Sequence, residues 1–478
     1  MRDELLSGYP GVGVDFGTTN TSVAVAGEHA LRVLEIDPHN DAPTSLPSLL
    51  YMERNGNRTV GRQAADLYIQ RNTGRQVRMR RVRINRLIER VEGGEIDKEF
   101  MPREGLIDPE VRYGVQASVL VEKQSPGRLF HSLKTNLSDR NFVNTKVFGQ
   151  PYQMEELVSY ILEPVRRAIE NTLGAVPDTV IFGRPVVFPG DPRDDDFAQD
   201  RLATAARLAG FKEVVFFYEP VAACLEYAVT LRDRQRILVA DIGGGTCDVC
   251  VMEFEAASDV RSRLQGSRIL SVAGVAVAGN AIDREILRTV VFPRLGSRAV
   301  YGPSRLPMPA SLYENLLDWQ RMYTLNTEEM LHWLAAAEVS CDQPEGLRAL
   351  QRVIRFNLGY RLAREAELAK KRLSADSETV LELIFDGLNI KEPLDRQKFA
   401  HLIEEELESI EECLAEAEDR AGITPAQIDQ VLITGGSSLV PAIRDLLARR
   451  YGANRMHSRH AFTSVATGLA IAARFLTG

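Results

Sequence analysis

Cysteine is scarce: five in 478 residues, too few to staple a chain of this length, so a disulfide-built secreted scaffold is excluded and a reducing compartment is expected. No uninterrupted apolar stretch is long enough to cross a bilayer. The opening MRDELLSGYP lacks the charged-then-apolar order of a signal peptide, so the expected location is cytoplasmic, with no membrane partner. Positive charge is in deficit as well. The net charge of −8 argues against a general binder of nucleic acid or anionic lipid. Seven histidines include no pair at a zinc-ligand spacing. What remains is 44% hydrophobic and 26% charged, ordinary globular material for about two to four domain-sized units.

Cys247 and Cys250 form a C-x-x-C within ILVADIGGGTCDVCVMEF. A redox pair of this spacing sits at a helix start, where the thiol pKa is lowered. Here the surroundings alternate like a hairpin, and residues three apart on a strand face opposite ways. Two small apolar strand residues are the expectation, rather than redox or metal chemistry.

The most informative feature is a repeat. GVGVDFGTTNTSVAVAG (11–27) and ILVADIGGGTCDVCV (237–251) each run a β-branched strand into Asp, one residue, Gly with Thr, and a second strand. Asp15 aligns with Asp241 and Gly17 with Gly243, which implies two halves built alike. A glycine-rich bend lets backbone N–H groups converge into a nest for phosphate oxygens. Thr18, Thr19, Asn20 and Thr246 add side-chain donors. Phosphate would repel an Asp at the strand end unless a divalent cation stood between them, so Asp15 and Asp241 read as ligands of Mg2+, direct or through water. Two such bends across a cleft would clamp a polyphosphate. Other nucleotide loops are set aside. GVAVAGNA (274–281) has P-loop glycine spacing but Asn280 and Ala281 where Lys and Ser or Thr belong, and no strand-linked G-x-G-x-x-G occurs.

DFGTTN (15–20), YEPVAACLEYA (218–228), DIGGGTCD (241–248), AELAKKRLS (366–374) and ITGGSSLVPAIR (433–444) occur in that order. Together they resemble the ATPase domain of the 70-kilodalton heat-shock chaperones, the DnaK type, within the actin and sugar-kinase superfamily. The resemblance implies an α/β, two-lobed actin-like ATPase fold with duplicated mixed-sheet lobes around a nucleotide cleft. Lobe I would span 1–236 with an outer subdomain at about 30–150, and lobe II 237–478 with its outer part at about 284–420. It implies ATP/ADP and Mg2+ as cofactors. Thr18, Thr19 and Asn20, after Gly17, resemble the first phosphate loop, and Gly243, Gly244, Gly245 and Thr246 the second. Asp15 and Asp241 resemble the carboxylates that hold hydrated Mg2+, with Asp248 in support. Glu219 resembles the catalytic glutamate, Lys134 the lysine that orients the attacking water, and Pro185 the switch proline. Glu367, Lys370, Lys371 and Ser374 resemble the adenosine-holding face, with Gly435, Gly436 and Ser437 as the opposite wall. Those four stand at i, i+3, i+4 and i+7, one face of a helix, a pattern that a solvated charged face would also show.

The sequence departs from that family in places. Leu439 stands where an adenine-stacking Arg is usual, and AVAGN supplies Ala278 and Gly279 where two glycines usually meet the phosphates. After SVATGLAIAARFLTG there is no acidic-leucine linker, β-sandwich or helical lid, so the expected likeness is to the short, YegD-like branch lacking a client-binding domain. Two segments lie outside the motifs. Residues 71–90, RNTGRQVRMRRVRINRLIER, read as a solvated basic helix or as a surface for an acidic partner or nucleic acid, with no interleaved aromatics for base stacking. Residues 296–345 carry Trp319 and Trp333, as core or as a docking site. Segment 396–421 has helical spacing up to a stop at Gly422, its acids forming the wet face, and the stretch from Ser464 resembles a helix returning to lobe I. The functional expectation is a Mg2+-dependent ATPase acting as a chaperone-like conformational switch, with ATP and an unidentified protein partner or client. An actin-like filament protein, a small-molecule kinase of the sugar-kinase type and a reactivating factor remain as alternatives.

Overall fold

A computed structural model of the chain describes residues 10–27, 30–77, 79–88, 115–122, 124–320, 322–458 and 463–475. Two sheets organise it. In the first, the strands lie in the order Glu213–Tyr218, Thr179–Arg184, Gly11–Phe16, Asn20–Ala26 and Leu31–Val33, with Leu46–Pro47 added against Asn20–Ala26. In the second the order is Met456–Ser458, Gln430–Thr434, Gln235–Ile242, Cys247–Phe254 and Arg268–Val275. Each sheet opens with an antiparallel hairpin, adds a third antiparallel strand, and places two later strands parallel to the first. The repeated motif is therefore a repeated topology, with the two bends at the ends of equivalent hairpins.

Both faces of these sheets are covered, which explains why the strands read as apolar runs rather than strict alternations. Cys247–Phe254 is buried along its whole length. Cys247, Val249 and Val251 enter one core, whereas Cys250, Met252 and Phe254 enter the other with the helix Glu219–Ala228. The two thiols of the C-x-x-C thus lie on opposite faces, as strand geometry requires.

The helices that place the site start where local chemistry dictates. Glu219–Ala228 begins directly after the strand Glu213–Tyr218, and Pro220 in its first turn forfeits only an N–H that has no intrahelical partner. Met154–Leu173 opens on a reciprocal Gln153 and Glu156 capping box and stops at Gly174 in the left-handed conformation. The helix Ser464–Phe475 lies on Gly11–Phe16 and against Glu219–Ala228, with Ala466, Leu469 and Ala470 fully buried.

Three expectations are corrected. The basic run is not a helix over its described length after Asn72. Met79–Ile88 is a strand paired antiparallel with Val115–Glu122, because Arg81, Val82, Arg83 and Ile84 alternate with the period of a strand. Glu89 and Arg90 lie outside the described residues. The segment 396–421 is two helices, Arg396–Leu402 and Glu404–Ala421, broken at Ile403 (φ −109°, ψ 21°), and the second does end at Gly422, which has φ 65°. Its acids are not all wet: Glu406 and Glu418 are buried, Glu418 receiving bonds from the Arg450 guanidinium and the Tyr451 hydroxyl.

Candidate functional site

The two bends face each other. Each closes with the same backbone bond, Gly17 N–H to the Asn20 carbonyl at 2.9 Å and Gly243 N–H to the Thr246 carbonyl at 3.0 Å. A methyl group on Gly244 would stand 2.5 Å from Thr19 Cγ2, and one on Gly245 would stand 2.8 Å from Thr18 Oγ1. Glycine in the second turn therefore leaves room for the threonine side chains of the first. Between and above the turns opens a cleft of about 710 Å³.

The residues assigned by resemblance converge on that cleft from elements far apart in sequence. Its lining includes Asp15 and Gly17 through Asn20 from the first hairpin, Lys134, Glu219, and Asp241 with Gly243 through Thr246 from the second. Glu367, Lys370, Lys371 and Ser374 come from one stripe of the helix Gly359–Ala375, and Gly435, Gly436 and Ser437 from the turn after Gln430–Thr434. Gly435 holds φ 81°, a backbone conformation that favours glycine. Gly279 stands just behind the lining, its N–H bonded to the Gly243 carbonyl at 3.2 Å. Its neighbour Ala278 has φ −165°, extended backbone that alanine adopts freely, so the missing second glycine removes nothing the turn needs. Pro185 is outside the cleft. The next residue, Val186, donates its N–H to Asp248 Oδ1 at 2.6 Å, and Asp248 pairs in register with Asp241.

Electrostatically the floor of the cleft is over-supplied with acid. The buried Lys134 ammonium donates to Glu219 Oε1 at 2.5 Å, and among the described residues it is the cation acting on Asp15, Asp241 and Asp248 as well. Burial, with the charge of Glu219 adding, pushes Asp15 and Asp248 up to about 7, and raises Asp241 well above the usual carboxylate range. Burial alone would pull Lys134 down, but Glu219 and Asp15 outweigh it and hold it up. A further positive charge would relieve this cluster, and carboxylate and hydroxyl oxygens are the donors a hard cation takes. Among the described residues no three acidic, His or Cys side chains converge closely enough to ligate one bare ion. A cation that keeps its waters, as Mg2+ does, needs no such direct convergence. Asp15 and Asp241, which line the cleft from the two bends, are residues that could hold such an ion through its waters.

On the helix Gly359–Ala375 the groups are already engaged with their neighbours. Lys370 Nζ donates to Asp283 Oδ2 at 2.8 Å and to the Gly279 carbonyl at 3.0 Å. Lys371 pairs with Glu367 at 2.6 Å, and Ser374 bonds back to the Lys370 carbonyl at 3.2 Å. Leu439 reaches the cleft with 41% of its surface exposed, an apolar platform in place of a guanidinium.

Several cleft residues were not legible as such. Asp283 follows Gly279 closely enough for a helix-periodic reading to have found it, and Arg364 and Tyr360 continue the stripe of Glu367 toward the helix start. Trp319 gave no signal beyond its type. It stands at the rim against Tyr360 (4.8 Å between centroids), Tyr68 (5.5 Å) and His131 (6.3 Å), while Trp333 packs edge-on against Tyr301. In that insertion one indole lines the cleft and the other packs.

Comparison with known proteins points to one family. The family model described as Hsp70 protein matches residues 113–261 and 355–478, more than half of the chain. The chaperone proteins DnaK of two strains of Thermus thermophilus are each 26% identical over 98% of this chain and 61% of their own length. The chain thus spans about three-fifths of these curated relatives. No helix among the described residues is long and apolar enough to cross a membrane. A duplicated sheet topology, paired glycine-rich bends in one cleft and a family match over more than half of the chain lead to one conclusion: this chain belongs to the Hsp70 family.

Proposed function

We propose that the chain binds ATP in this cleft, hydrolyses it slowly with Mg2+, and uses the difference between ATP and ADP to drive a chaperone-like conformational switch. The observation that carries the reading is the opposition of the two bends above a carboxylate cluster threaded by the Lys134–Glu219 pair. In it, the N–H groups of the turns and the Thr18, Thr19 and Thr246 hydroxyls grip the β- and γ-phosphates. Lys134 and Glu219 position water for in-line attack, with no covalent intermediate. Bound Mg2+ would supply charge neutralisation for the phosphates and screen Asp15 and Asp241. Glu367, Lys370, Lys371 and Ser374 hold the nucleoside against Gly435 and Gly436, with Leu439 beneath the base.

The switch runs through Asp248. A change at the γ-phosphate alters Thr246, whose hydroxyl bonds to Asp248, and Asp248 holds the Val186 amide next to Pro185. The moving bodies are lobe I (1–236, outer subdomain about 30–150) and lobe II (237–478, outer part about 284–420), with a protein partner or client responding to their closure. Action in the cytoplasm belongs to the same reading, supported by five free cysteines. Membership of the Hsp70 family favours this over a filament protein or a metabolite kinase.

The test is nucleotide affinity by calorimetry and Mg2+-dependent phosphate release, with Asp15→Ala and Lys134→Ala alongside. Nucleotide binding with hydrolysis lost at least about 100-fold in both variants is expected. Wild-type turnover surviving both substitutions overturns the site assignment.

A further inference from the structure

A phosphate-binding turn works only if its N–H groups face the ligand. Because the peptide unit is planar and trans, a carbonyl fixed outward aims the N–H of the next residue inward. In both bends the carbonyls are held from behind, and in each a serine hydroxyl takes the carbonyl of the equivalent glycine. Ser48 Oγ donates to the Gly17 carbonyl at 2.8 Å, and Ser48 N–H to the Thr19 carbonyl at 2.9 Å. Ser437 Oγ donates to the Gly243 carbonyl at 2.7 Å, the Gly279 N–H to the same oxygen at 3.2 Å, and the Asn280 N–H to the Gly244 carbonyl at 2.7 Å. Ser48 is 1% and Ser437 4% exposed. Ser48 also shares a bond of 3.0 Å with the buried Thr21 hydroxyl, which fixes its rotamer.

The two clasps are not copies of one element. In each half the segment after the third strand returns to the turn and donates backbone N–H groups, through Ser48 in the first half and through Gly279 and Asn280 in the second. The serine of the first half comes from that same segment, whereas Ser437 comes from the opposite neighbour, after the strand Gln430–Thr434. The same contact on matched glycines has been assembled from different parts of the fold.

We propose that Ser48 and Ser437 are paired positioning residues that turn the amides of Thr18 and of Gly244 toward the triphosphate. Ser437 then serves the phosphates through Gly243, rather than the adenosine wall that resemblance suggests. The proposal rests on ATP binding in this cleft.

The test compares affinities for ATP and for adenosine in Ser48→Ala, Ser437→Ala and the hydroxyl-retaining Ser48→Thr and Ser437→Thr, with thermal unfolding of each as a fold check. Loss of one buried hydroxyl donor is expected to weaken ATP by about tenfold and leave adenosine unchanged, with threonine restoring ATP binding. Weakening of both ligands by the same factor, or of neither, overturns the proposal. If Ser48→Ala does not fold, Ser437→Ala carries the same comparison, because a wall contact there would weaken adenosine. Failure of the wild type to bind ATP at all would instead overturn the functional reading, so the two failures are distinguishable.

Discussion

The two facing bends share a fold and a closing hydrogen bond but not a surface. The first carries side chains at its tip, Thr18 and Thr19, and the second carries glycines, Gly244 and Gly245, at the places those threonines approach. A strict duplication would have put two bulky tips into one gap. The difference teaches that the halves have become complementary: one supplies hydroxyl donors and the other supplies room. A second contrast follows along the cleft. The facing bends come from the repeat, whereas Lys370, Glu367 and Leu439 line the cleft from the second half.

The sharpest way to break the comparison is to give the second tip a side chain. Gly244→Ala places its methyl at 2.5 Å from Thr19 Cγ2, so either the Thr19 side chain or the hairpins must shift, and a displacement on the order of 1 Å at a reacting centre costs about 100-fold in rate. ATP turnover is expected to fall by that factor, and Thr19→Ser, which removes the obstructing methyl, should restore part of it. Equal loss with and without the second substitution would show that the complementarity is not what matters.

A smaller effect is expected from pH. Asp15 and Asp248, one in each half, both stand at about 7, raised by burial and by Glu219. A carboxyl raised in the folded state stabilises it only while protonated, so this contribution is complete below the unfolded value of 3.8 and is lost as pH rises through about 7. Without divalent cation or nucleotide, the melting temperature should therefore decline across that window. Mg2+ with ADP should flatten the decline and release protons on binding, read by calorimetry in buffers of different ionisation enthalpy. A melting profile unchanged by Mg2+ and ADP would remove the cation from the phosphate end.

The smallest effect lies at the unduplicated end. Leu439→Arg introduces a guanidinium where the cleft now offers an apolar face, and stacking on an aromatic ring at a partly exposed site is worth about 0.5–1 kcal/mol. ATP affinity should rise a few-fold with hydrolysis per bound nucleotide unchanged. An unaltered affinity would place the base away from Leu439.

Much of the phosphate end was legible because it is local. A bend needs its Gly, Thr and Asp within a few residues, and the same order twice, at Asp15 through Asn20 and Asp241 through Thr246, predicted both turns. The stripe of Glu367, Lys370, Lys371 and Ser374 was legible for the same reason, helix periodicity being a short-range property. The alternation at Arg81 through Ile84 was equally local, yet the density of arginine concealed the strand, and the break at Ile403 left no mark in an otherwise regular apolar pattern.

The sequence by itself determined that the chain has two like halves, that each ends a hairpin in a phosphate-type bend, and that Cys247 and Cys250 face apart, because these follow from bond geometry over a few residues. Only the tertiary structure decided that Lys134 meets Glu219, that Thr19 fills the space over Gly244, that Ser48 and Ser437 take matched carbonyls, and that Trp319 closes on Tyr360 at the rim. Those contacts join residues tens to hundreds of positions apart, and they are set by how two sheets and their helices pack, which no short pattern encodes.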